Sequence, residues 1–131
     1  MSTMRLPKHE TDRLSKDELT QDDIRYFREK YGKRFIRALR SVQEGRVTLF
    51  TFRPSETVRW TVRGSRREYL VLPEVFCTCR SFYHEVVIDR EAEMCYHLLA
   101  QRIAEIRGSY KTTEATDAER RKLVIEWRRT D

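Results

Sequence analysis

Every cysteine in the chain lies in one of two short patches, Phe76-Cys77-Thr78-Cys79-Arg80 and Met94-Cys95-Tyr96-His97. Three thiols and an imidazole make a full tetrahedral donor set for Zn²⁺, of the Cys₃His kind used in structural sites. Cys77, Cys79, Cys95 and His97 are therefore the candidate ligands of one structural zinc. Backbone geometry restricts how they can meet. In an extended segment, residues i and i+2 point to the same side, so Cys77 and Cys79 share a side on a strand or at its end. In a helix such a pair lies about 200° apart, so Cys95 and His97 belong at a helix entry, with Cys95 ahead of the first turn. Leu99, Ile103 and Ile106 continue that helix as an apolar stripe, and Gly108 stops it. The free N–H groups of a helix start also favour a thiolate.

The plainer alternative is three buried, unreactive thiols. His84 is the rival to His97 as fourth ligand, but it has no partner at ligand spacing. Asp89, Glu91 and Glu93 beside His84 suggest an acid–base site on paper; a polar loop accounts for them as well. The odd cysteine count, three, argues against a disulfide framework.

The two patches resemble the SWIM-type zinc finger, Cys-x-Cys, a gap, then Cys-x-His. Cys79-Arg80-Ser81-Phe82 and Cys95-Tyr96-His97-Leu98-Leu99-Ala100 are similar to that family's Cys-x-Ser/Ala-Phe and Cys-x-His-Leu-Leu-Ala strings. The likeness runs from about Val58 to Ile106 and is strongest to small SWIM proteins of the Shu-complex and archaeal kind. Tyr96 departs from the pattern, since those relatives often carry Lys there. The resemblance implies a recombination or repair setting and, as partner, a recombinase-paralogue ATPase.

The elements that must hold the ligands follow from periodicity. Residues 1–17 carry no period and read as a mobile arm, with His9 solvated in it. Thr20 is an N-cap with Asp22 and Asp23 in the first turn. Ile24, Phe27, Tyr31, Phe35, Ala38, Leu39 and Val42 then recur at helical steps to Gly45, with a bend or joint at Gly32. Arg25, Arg28, Lys33, Arg37 and Arg40 fall on the opposite side and read as a solvated face. Three strands follow: Val47–Phe52, Thr57–Arg63 and Arg67–Leu72. Arg53-Pro54-Ser55-Glu56 turns between the first two and Gly64-Ser65 between the last two. Val58, Trp60 and Val62 make the packed side, and Arg59, Thr61 and Arg63 the wet one. Trp60 and Tyr69 read as core aromatics rather than base-stacking platforms. After a linker, Thr116-Asp117-Ala118-Glu119 is a capping box opening a last helix, which either docks through Trp127 or projects toward a partner. The expected fold is thus α+β: an N-terminal helix, a three-stranded antiparallel meander, a zinc-clamped strand end and helix of ββα-like form, and a C-terminal helix. Residues 18–110 form one domain with the zinc motif at 76–106, and 111–131 are linker and basic helix.

Length and charge bound the function. A chain of 131 residues can bury a core of its own. Lys and Arg number 27 against 21 Asp and Glu, a formal charge of +6. Such a balance suits a polyanion. Arg59, Arg63, Arg66 and Arg67 around the hairpin, Arg80 beside the second cysteine, and Arg120, Arg121 and Lys122 on the last helix are the candidate phosphate contacts. The expected partner is nucleic acid, DNA foremost, held through its backbone with little sequence preference. The competing expectation is a protein-interaction module. Enzyme chemistry ranks last: four good ligands close the zinc, and no GxxxxGK[ST] loop is present. No small-molecule substrate is expected. Nor is a membrane, since the first residues have no apolar core and no apolar run spans a bilayer; the expected location is intracellular.

Overall fold

The computed structural model describes residues 6–64, 67–73, 76–77 and 95–127. The fold is α+β, five strands and five helices among those residues. Strands β1 (Val47–Arg53), β2 (Thr57–Arg63), β3 (Glu68–Leu72), β4 (Phe76–Cys77) and β5 (Lys111–Thr116) form one sheet in the order β4-β3-β2-β1-β5. The three expected strands do not stand alone as a meander. β4 extends them on one edge, and β5 runs parallel to β1 on the other, where a linker was expected. Lys111-Thr112-Thr113 is rich in β-branched residues, which suit an extended, half-exposed edge.

Helices α1 (Lys8–Leu14), α2 (Gln21–Tyr31), α3 (Lys33–Gln43) and α4 (Tyr96–Arg107) form the helical layer, and α5 (Asp117–Trp127) follows β5. The helical segment expected over 20–45, with a bend or joint at Gly32, is two helices that meet there. Gly32 adopts φ +67°, ψ −144°, outside any helix, so it ends α2 and caps α3. Phe27 and Phe35 stack across that joint with centroids 5.0 Å apart. Thr20 caps α2 as expected, in a reciprocal box with Asp23.

The main core lies between these helices and the sheet. Val47, Trp60, Val62 and Val71 meet Phe35, Ala38, Leu99, Ile103 and Ala104 there. Helix α4 is central, so burial on it extends past one stripe to Leu98, Ala100 and Gln101. Trp60 and Tyr69 both pack against this core.

Two expectations are corrected by burial. The mobile arm contains α1, whose Leu14 and Glu10 are fully buried. Glu10 accepts hydrogen bonds from Tyr26 (2.8 Å), Tyr31 (2.6 Å) and Lys30. Arg107 of α4 ties the end of α1 down by donating to the carbonyls of Leu14, Lys16 and Asp17. His9, by contrast, stays exposed, against the Tyr26 hydroxyl. The wet side of the sheet is also covered. Phe52, Leu70 and Trp127 form a second small core there, with Phe50, Leu123 and Val124 packed on it. Alternation on β2 alone missed this, because the apolar residues of that side come from β1 and β3. Val58, assigned to the packed side, is half exposed near the strand's start.

The buried carboxylates set the acid sensitivity of the fold. Burial opposes ionisation of Glu10, but the hydrogen bonds from Lys30, Tyr31 and Tyr26 prevail and its pKa lies below the ordinary value. Asp23 is lowered chiefly by the backbone N–H of Thr20, with Lys16 and the Thr20 hydroxyl adding to it. Each therefore contributes stability above its unfolded pKa that disappears as pH falls through the lower folded value. Denaturation followed from pH 6 to pH 3 should show a smaller stability loss in the double variant Glu10→Gln, Asp23→Asn than in the parent; equal slopes would contradict this.

Candidate metal centre

The sheet register aims Cys77 at the helices. Val71 pairs with Cys77 on one side and Trp60 on the other, so all three share the inward face. Cys95 is the N-cap of α4, extended at φ −80°, ψ 170°, and His97 follows inside the first turn. This is the helix entry that the Cys-x-His spacing requires. Gly108, in the left-handed region at φ 64°, ψ 27°, ends the helix as expected.

The ligand atoms of Cys77, Cys95 and His97 all lie within 4.8 Å of one another, and all three residues are buried. Zn–S bonds of about 2.3 Å at tetrahedral angles hold sulfurs roughly 3.8 Å apart, so a small inward adjustment suffices. His97 supplies the sharper test. Both of its ring nitrogens are buried and have no hydrogen-bond partner among the described residues. A buried imidazole with neither nitrogen satisfied is costly; a cation bound at one of them removes much of that cost. The donor set, two thiols and one imidazole, is chemically suited to zinc. Cys77, Cys95 and His97 would hold it. Cys79, the remaining expected ligand, and His84, the rival to His97, lie outside the described residues, as does the loop of Asp89, Glu91 and Glu93.

Aromatic rings fix the imidazole. Tyr69 lies 4.5 Å and Tyr96 3.9 Å from His97, centroid to centroid. The Arg37 guanidinium covers Tyr96 at 4.2 Å. Neither tyrosine had a sequence signal for this role beyond its neighbourhood. Tyr69 is in turn held by Gly64. The N–H of Gly64 donates to Arg67 O at 2.7 Å, so Gly64 ends the paired strand rather than opening the turn. A Cβ at Gly64 would sit 2.6 Å from Tyr69 Cε2. Gly64→Ala should thus push Tyr69 against His97, costing about 1–3 kcal/mol of stability and weakening zinc retention in a chelator competition. Unchanged retention would mean that Tyr69 does not position the ligand.

The candidate phosphate contacts are divided. Arg59 and Arg63 alternate with buried Thr61 on the side of the sheet that α5 covers. Arg121 and Lys122 are exposed on α5 itself, while Arg120 is half-buried near Asp117. Two basic groups distant in sequence therefore occupy one side of the sheet. Arg67 is different: its Nε and Nη2 are buried and its guanidinium lies 5.3 Å from the Tyr69 centroid. Arg66 and Arg80 lie outside the described residues. The capping box at Thr116 and Glu119 forms, with mutual hydrogen bonds of 3.1 Å. The last helix docks through Trp127, whose Nε1 donates to Glu68 Oε1 at 3.0 Å.

Comparison with known proteins points the same way as the cluster. The chain is similar to the zinc finger SWIM domain-containing protein 7 homolog of Dictyostelium discoideum. The two are 24% identical over 97 residues, which cover 72% of this chain and 62% of that one. This likeness supports a SWIM-type zinc finger. The chain spans less than two thirds of that relative's length. No family model and no solved structure matches it. Among the described residues no helix is long and apolar enough to cross a membrane.

Proposed function

We propose that this chain is a SWIM-type zinc-binding module that holds nucleic acid, DNA foremost, in recombination or repair, and performs no catalysis. The observation that carries the reading is the buried cluster of Cys77, Cys95 and His97, with both imidazole nitrogens unpartnered among the described residues. The zinc, with Cys79 as fourth ligand, joins the sheet edge to the start of α4 and has a structural role. Support for the nucleic-acid part comes from the +6 charge and from the cations on the α5 side of the sheet, exposed Arg63, Arg121 and Lys122 with half-buried Arg59. The recombination setting rests on the family resemblance, as does a recombinase-paralogue ATPase as partner. The partner reading draws little from the last helix: Leu123, Val124 and Trp127 face the sheet, leaving Ile125 as its one strongly exposed large apolar residue.

Two measurements test the proposal. Metal analysis of purified protein should give one zinc per chain. Mobility shift with single- and double-stranded DNA should give binding that falls steeply with salt. Zinc-loaded protein that binds neither DNA at low salt, yet captures an ATPase partner, would overturn the nucleic-acid reading in favour of the interaction module.

A further inference from the structure

Helix α3 carries four basic residues, Lys33, Arg34, Arg37 and Arg40, and no acidic one. Lys33, Arg37 and Arg40 recur at steps of four and three, so they form one row along the outer side of the helix. All three are exposed, and none has an acidic partner among the described residues. At 1.5 Å per residue the row advances about 6 Å and then about 4.5 Å, comparable to one nucleotide step of an extended strand. The row leads into a cleft of about 300 Å³ lined by Tyr31, Gly32, Lys33, Arg34, Arg37 and Tyr96, with Cys95 at its floor. The cleft therefore touches the metal centre directly. His97, Tyr96 and the Arg37 guanidinium lie one over another from the metal cluster outward. The outer plane of Arg37 is the end of that series.

We infer that this cleft and the α3 row bind single-stranded nucleic acid, with phosphates on Lys33, Arg37 and Arg40 and a base against the Arg37 guanidinium. The inference rests on the nucleic-acid reading above and adds a second surface to it. This surface lies on the helical side of the sheet, opposite Arg59, Arg63 and α5. A guanidinium plane accepts an unstacked base, and single-strand binders combine a basic track with such platforms. A cleft of this size admits one nucleotide and excludes a duplex. Lys33, Arg37 and Arg40 are like charges side by side, and their mutual repulsion is relieved when phosphates are bound.

The test compares the zinc-loaded parent and variants by fluorescence anisotropy with labelled oligo-dT, over a range of salt. The parent should bind. Lys33→Ala, Arg37→Ala, Arg40→Ala together should weaken binding at least about tenfold and lower the salt slope by about 2, three single-strand contacts at roughly 0.7 each. Arg37→Lys should keep the slope and still weaken binding, because it keeps the charge and loses the plane. Zinc content and melting are read for each variant, because Arg37 also covers Tyr96 beside His97. The pair Lys33→Ala, Arg40→Ala leaves that contact intact, should keep the parent's zinc content and should still lower the slope by about 1.4. If the triple variant binds as the parent does while Arg59→Ala, Arg63→Ala, Arg121→Ala, Lys122→Ala loses affinity, the inference fails and the nucleic-acid reading survives. If the zinc-loaded parent does not bind oligo-dT at low salt, the inference fails; if it binds no duplex either, the broader reading fails with it.

Discussion

Replacing His97 with alanine is expected to lower zinc affinity by more than about 100-fold, since disturbing even the groups that merely orient a ligand costs 10–100-fold. The imidazole is buried between Tyr69 and Tyr96, and neither nitrogen has a hydrogen-bond partner among the described residues. Its removal leaves a two-thiol remnant at Cys77 and Cys95 in the described part of the site. Folding should suffer with binding. A cation present at 100 times its dissociation constant adds about 2.7 kcal/mol, worth roughly 10 °C in melting temperature for a chain of this length. The parent should lose that increment on chelation, and His97→Ala should lack it from the start. His97→Cys discriminates between metal and packing. It restores a thiolate donor where alanine restores none, so zinc binding should return in part although the aromatic stack is gone. A parent that melts at the same temperature with and without a chelator, and carries no zinc, would reduce the corner to packed sulfur.

The placement of Cys95 and His97 was legible because a shared ion would demand a spacing that ordinary packing does not. Cys-x-His cannot lie within a helix and bind one ion, so Cys95 had to be the N-cap, and it is. Gly32 and Gly108 were legible for a related reason: each interrupts an otherwise helical pattern where the backbone takes positive φ. What escaped was whatever depends on partners far along the chain. Glu10 looks like one more charge in a polar arm until Tyr26, Lys30 and Tyr31 of α2 enclose it. Lys111–Thr116 has no apolar alternation, and becomes a strand only because β1 offers an open edge to pair with. The basic face of α3 read as solvated, and Lys33, Arg37 and Arg40 are exposed; its place in the fold is what the sequence did not show. On α3 alone no acid offsets the charge, and the fold sets that face beside the metal cleft.

The largest effect away from the metal is expected at Trp127. The side chain is almost fully buried and lies 5.2 Å from Phe50 and 6.4 Å from Phe52, centroid to centroid. It is the main contact by which α5 covers the second face of the sheet. Trp127→Ala should cost about 3–5 kcal/mol. The indole N–H also holds Glu68, whose other oxygen accepts from buried Thr61 at 3.1 Å. Losing that donor leaves one oxygen of a half-buried carboxylate without the indole. Trp127→Phe retains most of the packing and loses the hydrogen bond, so it should cost about 1–2 kcal/mol. The difference between the two variants separates contact from hydrogen bonding, and chemical denaturation measures both. Zinc content serves as the control, because Cys77, Cys95 and His97 lie in the core on the opposite face. Trp127→Ala should therefore unfold more readily while still binding zinc when folded. It should also expose Phe50, Phe52 and Leu70 and bind a hydrophobic dye. A loss below about 1 kcal/mol would mean that the sheet does not need α5, and Arg121 and Lys122 would then have no fixed relation to Arg59 and Arg63.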